Sequence, residues 1–181
     1  MTGIGPDGLH VDARQVPSPN CDDRPRDCAV TLLVLHAISL PPGEFGGPAI
    51  ERLLTNRLEP GAHPSFRDLG SLRVSAHFLV RRDGELVQFV PVHRRAWHAG
   101  ASRWRGRERC NDFSVGVELE GTGEHRFAEP QYVRLGALVR ALCAVLPLRE
   151  IAAHSDVAPG RKSDPGGRFD WFRFFIDLAR A

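Results

Sequence analysis

The sequence predicts an α/β protein, on three observations. Val30-Thr31-Leu32-Leu33-Val34-Leu35 is a continuous apolar run, the pattern of a strand buried on both faces. Phe113 to Glu120 alternates, with Val115, Val117 and Leu119 on one face and Gly116, Glu118 and Glu120 on the other. From Gln131 to Leu146, apolar residues at Leu135, Leu138, Val139, Leu142 and Leu146 recur at helical spacing. The 181 residues suit a single domain, 1–181, with enough chain for a core.

In order, residues 1–29 read as a largely irregular N-terminal arm, with Pro17, Pro19 and Pro25 interrupting regular structure. The apolar run that follows ends in His36, which period-two alternation places on the face of Val34 and Leu32. Leu40 to Gly47 is a loop. A helix is expected over about 48–58, with Pro48 in its first turn and Ile50, Leu53, Leu54 and Leu58 as its apolar stripe. Gly61 to Gly70 is again loop. Ala76–Arg81 and Leu86–Val90 read as strands joined by Arg82-Asp83-Gly84-Glu85, whose Asp-Gly pair signals a tight hairpin. Ala96 to Asn111 is a long polar loop. The helix over 131–146 stops at Pro147. Trp171 to Ala179 is a short closing helix bearing Phe172, Phe175, Ile176 and Ala179.

Composition narrows the function classes. Hydrophobic residues at 42% and charged residues at 25% fit a globular protein. A net charge of +2 gives no case for nucleic acid, and Arg103 to Arg109, the one basic cluster, reads equally as a solvated loop. No run reaches the length of a membrane span. The first twelve residues lack a cationic start and an apolar segment, so no secretory signal is expected. Cys21, Cys28, Cys110 and Cys143 show no metal-ligand spacing. Cys21 and Cys28 could pair in an oxidising compartment, but reduced thiols in a cytoplasm are the expectation.

The chemistry concentrates in His154-Ser155-Asp156-Val157-Ala158-Pro159-Gly160-Arg161-Lys162-Ser163-Asp164-Pro165-Gly166. This loop holds an imidazole, two carboxylates and an ammonium among two prolines and two glycines. Lys162 is the only lysine in a chain with 24 Lys and Arg together. A compact ammonium differs chemically from a guanidinium fork. It could stabilise an oxyanion, or pair with Asp156 or Asp164. His36, His154 and Asp164 form a candidate metal set, since zinc accepts nitrogen and oxygen ligands and catalytic sites use three of them. No local two-ligand motif singles them out, and a lone histidine is more often packed or hydrogen-bonded. That reading is given to His10, His63, His93 and His125, while His77 and His98 stay undecided. Glu118 is unusual on a strand. It could be a general base, or it could share an exposed sheet face with Glu120; periodicity does not choose.

Taken together, Leu33-Val34-Leu35-His36, Arg94 to Gly100 (Arg-Arg-Ala-Trp-His-Ala-Gly), Gly116-Val117-Glu118-Leu119-Glu120-Gly121 and His154 to Gly166 resemble the zinc-dependent N-acetylmuramoyl-L-alanine amidases. This family shares its fold with the peptidoglycan recognition proteins. Pro17-Ser18-Pro19, Pro41 to Pro48, Arg73 to His77 and Gly106 to Ser114 are similar to its AmpD-type branch, the 1,6-anhydro-N-acetylmuramyl-L-alanine amidases. The ordered combination spans about 11–171. The resemblance implies a mixed central β-sheet flanked by α-helices. It implies a Zn2+ ion on His36, His154 and Asp164, Glu118 as catalytic acid/base, and Lys162 as the second catalytic group. Trp97, Arg109 and Arg73 would hold the muropeptide. The implied activity is hydrolysis of the amide between (1,6-anhydro-)N-acetylmuramic acid and L-alanine of the stem peptide. Its setting would be cytoplasmic peptidoglycan recycling, with indirect influence on β-lactamase induction. The partner would be a small muropeptide, with no nucleic acid and no membrane, and the working unit a monomer. One departure stands out: the residue after the first zinc histidine is commonly Asn in this branch and is Ala37 here. Two rival classes are a binding module of the same fold that has lost a zinc ligand, and a secreted wall autolysin. All three ligand positions are present, and no export signal is expected.

Overall fold

A computed structural model describes residues 3–179; residues 1, 2, 180 and 181, at the two ends of the expected domain, lie outside the described residues. In chain order the elements are β1 (Arg14–Gln15), β2 (Cys21–Asp22), β3 (Leu32–Ile38), α1 (Ala49–Leu54), β4 (Phe78–Val80), β5 (Leu86–Gln88), β6 (Arg95–Ala96), β7 (Arg103–Trp104), β8 (Arg107–Glu108), β9 (Ser114–Glu120), α2 (Glu129–Cys143), β10 (Glu150–Ala153), α3 (His154–Val157) and α4 (Trp171–Ala179). Short 3-10 turns occupy Pro60–Ala62, Pro64–Phe66 and Cys110–Asp112.

Six strands form one mixed sheet in the order β1-β5-β4-β9-β3-β10. Every neighbouring pair is parallel except β4 with β5. The two strands with the strongest sequence signals, β3 and β9, lie side by side near the centre, paired from Leu32 opposite Ser114 to Ile38 opposite Glu120. One face of the sheet sets Leu33, Leu35, Phe78, Val115, Val117 and Leu119 against α2 and α4, through Tyr132, Leu135, Leu138, Val139, Leu142 and Phe174. On the other face, Leu79 and Val87 meet Ile50, Leu53 and Leu54 of α1. Leu32 and Val34 there pack with Ala99, Cys110, Phe113 and Val157. Each such side chain contributes roughly 1.5–3 kcal/mol on full burial, so the two apolar layers hold the sheet rigid between them. The mixed sheet with flanking helices is the architecture expected from the sequence.

The differences are local. The N-terminal arm is tied down: β1 runs parallel to β5, and β2 pairs antiparallel with β6. Two-residue strands between prolines are too short to show a period in sequence. Arg24 is sunk behind the arm and donates to the carbonyls of Asn111, Asp112, Val92 and Ser114. Burial pulls its guanidinium down to about 10. The first helix is shorter than 48–58; Leu58 is buried but lies beyond α1. α2 begins two residues early, with Pro130 in its first turn, and its regular hydrogen bonding ends at Cys143 rather than Leu146. The chain continues as a turn, with Val145 and Leu146 N–H both donated to Leu142 O. Gln131 anchors the start of α2: its Oε1 accepts from Ala128 N–H, and its buried Nε2 donates to the carbonyls of Val80 and Glu120. The long polar loop carries the small β7–β8 hairpin. On α4 the buried ring is Phe174, whereas Phe172 is 78% exposed, so the inward stripe runs through Trp171, Phe174 and Leu178. β10, absent from the sequence reading, adds a parallel edge beside β3. The four cysteines are free thiols. No helix among the described residues is long and apolar enough to cross a membrane.

Candidate active site

The register of β3 and β9 sets His36 opposite Glu118 at the C-terminal ends of both strands. Side chains alternate along a strand, so both stand on the face of Val34 and Gly116. β10 delivers the third group. Its last residue, Ala153, pairs with Leu35, and His154 opens α3 immediately beyond it. The Asp156 carboxylate accepts from Ala153 N–H and fixes this corner. The loop then folds back, with Asp164 O accepting from Ser155 N–H at 3.0 Å, which seats the Asp164 side chain against His154.

The result is a tight convergence. One ligand atom each from His36, His154 and Asp164 lies within 4.8 Å of the others, in a set able to hold a metal ion. His36 Nδ1 is 2.8 Å from His154 Nδ1 and 3.4 Å from Asp164 Oδ2, and His154 Nδ1 is 3.0 Å from Asp164 Oδ2. Both imidazoles are buried, while Asp164 faces the groove at 21% side-chain exposure. The outer nitrogens are engaged elsewhere: His36 Nε2 with His98 Nδ1 at 2.9 Å, and His154 Nε2 with Ala99 O at 3.4 Å. A carbonyl only accepts, so His154 Nε2 carries the hydrogen and its Nδ1 presents a lone pair inward. A second inward ring nitrogen 2.8 Å away and a carboxylate at 3.0 Å make a donor set suited to a borderline cation. The residues present therefore fit a zinc ion.

The electrostatics agree with the geometry. Burial, offset in part by Asp164, lowers His36 to about 4. For Asp164, burial alone would raise the carboxyl, but the adjoining His154 and His36 imidazoles hold it well below the usual carboxylate range. Glu118 is pushed up to about 8, by burial first and by Asp164 second, with Lys162 pulling the other way. Glu118 Oε2 is buried with no hydrogen-bond partner. A buried carboxyl oxygen without a donor, beside a metal-ligand set, is poised to take up a proton.

Glu120, on the same strand face, has the opposite environment. Its Oε1 accepts from Gly46 N–H at 2.7 Å and from Arg81 Nη1 at 3.0 Å, and its Oε2 from Arg82 N–H. Arg81 also meets Glu51 at 2.7 Å. Glu120 is thus neither exposed nor available.

A groove of about 590 Å³ opens at the site, lined by Ala37, Ser39, Gly121, Thr122, Lys162 and Asp164 among others. Lys162 is exposed there, and among the described residues no carboxylate pairs with it; Asp156 is taken by its own turn. Ala37, the residue after His36, borders the same groove. A neighbouring depression, also about 590 Å³, is lined by Arg103, Glu108, Arg109, Val157 and Arg161. Arg109 holds a left-handed backbone (φ 60°), with its guanidinium 71% exposed and near Asp112. Trp97 is half-buried, lines neither depression, and donates its N–H to Ser75 Oγ. Arg73 folds back onto the carbonyls of Gly70 and Leu72. The arginine cluster is locally engaged: Arg105 pairs with Glu150 at 2.7 Å, and Arg107 lies 3.8 Å over the Phe113 ring.

Of the two undecided histidines, His77 is a packed core residue. Its Nδ1 accepts from Gly116 N–H and its Nε2 donates to Arg94 O, both at 3.0 Å. His98 stands directly behind the metal-ligand set, a placement the sequence reading misses. The available signal is Gly116: a glycine inside a strand marks close approach of another group, and a Cβ there would lie 2.4 Å from the His98 ring.

This arrangement of sheet, groove and ligand set defines a family. The chain belongs to the N-acetylmuramoyl-L-alanine amidase family, whose model matches residues 26–167. It is 57% identical over 175 residues to the 1,6-anhydro-N-acetylmuramyl-L-alanine amidase AmpD of Escherichia coli K12, covering 96% of both chains. Within the family, the chain is of this AmpD type. A crystal structure of a selenomethionine AmpD derivative superposes with a TM-score of 0.94 at 52% identity, covering 97% of this chain and 98% of that one. A complex of the amidase AmiD from E. coli with anhydro-N-acetylmuramic acid-L-Ala-D-γ-Glu-L-Lys superposes with a TM-score of 0.61 at 27% identity, covering 85% and 60%.

Proposed function

We propose that the protein is a zinc-dependent amidase that cuts the amide between 1,6-anhydro-N-acetylmuramic acid and the L-alanine of a stem peptide. The observation that carries this is the His36, His154 and Asp164 convergence beside the unpartnered oxygen of Glu118. A zinc ion held by those three side chains would supply a Lewis acid that acidifies water and polarises the scissile carbonyl. Glu118 takes the proton of the attacking water and returns it to the leaving amine. Its raised pKa suits both halves of that transfer near neutral pH. Lys162, free of a carboxylate among the described residues, donates to the oxygen on which negative charge develops. The muropeptide lies in the groove of Ala37, Thr122 and Lys162, and the guanidinium of Arg109 in the adjoining depression receives a stem-peptide carboxylate, a pairing that can be bidentate. Trp97 and Arg73 line neither depression, and no role in holding the substrate is assigned to them. Ala37 offers no amide to the substrate.

The substrate class is supported by the names of the AmpD relatives and by the ligand in the AmiD complex. The setting we propose is peptidoglycan recycling in the cytoplasm, carried out by a monomer. Loss of the protein would then let anhydro-muropeptides accumulate, and bacteria that sense them would raise inducible β-lactamase. Turnover of soluble anhydro-muropeptide and of intact sacculi, followed by mass spectrometry of the products, tests the reading. A strong preference for the soluble substrate is expected. Equal turnover of both would favour a wall autolysin.

A further inference from the structure

We infer that His98 is a positioning residue: with Ser114 it forms a hydrogen-bond relay that fixes the tautomer of His36 and holds its Nδ1 lone pair toward the metal-ligand set. The inference rests on the reading of His36, His154 and Asp164 as a metal site. Three contacts in series carry it. Ser114 Oγ lies 2.6 Å from Cys110 O, His98 Nε2 lies 3.1 Å from Ser114 Oγ, and His36 Nε2 lies 2.9 Å from His98 Nδ1.

Only one direction of donation satisfies this series. A backbone carbonyl cannot donate, so the single hydroxyl hydrogen of Ser114 goes to Cys110 O. Ser114 Oγ must then accept from His98, which places the His98 hydrogen on Nε2 and leaves a lone pair on Nδ1. That lone pair accepts from His36 Nε2–H. His36 Nδ1 is thereby unprotonated and faces His154 Nδ1 and Asp164. The opposite tautomer of His36 would point an N–H where a metal ligand is needed and leave two ring lone pairs facing one another at 2.9 Å inside the closed relay, whereas the Nδ1 lone pairs of His36 and His154 converge where a cation would sit. The relay is closed from solvent, because Ser114, His98 and His36 are all buried. Gly116 makes room for it: any side chain at that position would occupy the His98 ring. His154 reaches the same state by a shorter route, through Ala99 O. Ala99 adjoins His98, so one turn of the Trp-His-Ala-Gly segment orients both ligand imidazoles. Arg161 of the 154–166 loop ties that segment to the loop, donating to the carbonyls of Ala99 and Ala101 at 2.6 and 2.7 Å.

The test uses zinc alone as the probe, titrated in competition with a chromophoric chelator, on wild type, His98→Phe, His98→Asn and Ser114→Ala. His98→Phe keeps a ring over Gly116 but gives His36 no acceptor, and is expected to bind zinc about ten- to a hundredfold more weakly. His98→Asn, whose Oδ1 can stand where Nδ1 stood, should recover most of that loss. Ser114→Ala frees the His98 proton and should weaken binding in the same direction. Nitrogen-15 spectra of the metal-free wild type should show His36 with hydrogen on Nε2. This readout does not depend on any variant folding. Wild-type zinc affinity in both His98→Phe and Ser114→Ala, or a His36 hydrogen on Nδ1, overturns the relay. Failure of the wild type itself to bind zinc would instead overturn the proposed function while leaving the tautomer measurement to decide the relay.

Discussion

At the scale of single residues, the central contrast is between Glu118 and Glu120, two carboxylates on one strand face that sequence periodicity does not separate. The structure separates them by their partners. Glu120 is held by Arg81 and two backbone N–H groups, whereas Glu118 Oε2 has none. Glu118→Gln is therefore expected to keep zinc and lose on the order of a hundredfold or more in turnover, because the amide cannot accept the proton. Glu120→Gln should leave the chemistry in place but destabilise the fold, by leaving Arg81 and its backbone donors with a weaker partner. Assays of kcat and of the urea midpoint on both variants check the assignment; a dead Glu120→Gln with a live Glu118→Gln would reverse it. Lys162→Arg preserves charge, so a plain ion-pair role would tolerate it. As an oxyanion donor, Lys162 must reach one point with a compact ammonium, and the variant is expected to lose about a hundredfold in kcat with unchanged zinc and Tm. A near-normal kcat would make it a surface cation only. The lone lysine was visible in the sequence. Glu118 was distinguishable only through the resemblance, since its difference from Glu120 lies in contacts from Gly46 and Arg81, distant in sequence.

At the scale of elements, the site is assembled by register. β3 and β9 carried strong sequence patterns and lie where expected, so His36 and Glu118 were legible as strand-borne groups. β10 was not legible: four residues, Glu-Ile-Ala-Ala, are too few for a period, and alanine has little preference for strands. Yet its pairing with β3 is what carries His154 to His36. The strand glycine gives the element-scale test. Gly116→Ala places a methyl 2.4 Å from the His98 ring, which is wedged between His36 and Ser114 and cannot swing away. Overpacking of this kind costs about 1–3 kcal/mol. The variant should unfold at lower urea concentration and bind zinc more weakly, whereas unchanged values of both would mean that the sheet absorbs the methyl without moving the ring.

For the whole molecule, the cost of the site is written in its pH dependence. Buried imidazoles resist protonation: His36 is lowered to about 4, His77 to about 3, and His98 well below its ordinary value, in each case chiefly by burial. Unfolding returns each to about 6.5. Below that pH the unfolded chain binds protons that the fold refuses. The contribution of these histidines to the stability of metal-free protein is thus complete above about pH 6.5 and falls as pH drops toward 4, by up to about 1.4 kcal/mol per pH unit per group. Glu118 acts in the opposite sense, its contribution being lost as pH rises from its ordinary value toward about 8. These three groups, with His10 lowered in the same sense, outweigh Glu118, and urea midpoints of chelator-treated protein should be lower at pH 5 than at pH 7; equal midpoints would contradict the buried neutral imidazoles. The central claim is that one zinc on His36, His154 and Asp164 enables cleavage of the anhydro-muropeptide amide. Its most direct measurement is bound zinc and product release on a single preparation of wild type and His36→Ala, stripped of metal and then reloaded. About one zinc per wild-type chain is expected, with free stem peptide released only after reloading, and neither zinc nor product from His36→Ala. Free stem peptide released at the wild-type rate by metal-free His36→Ala would contradict it.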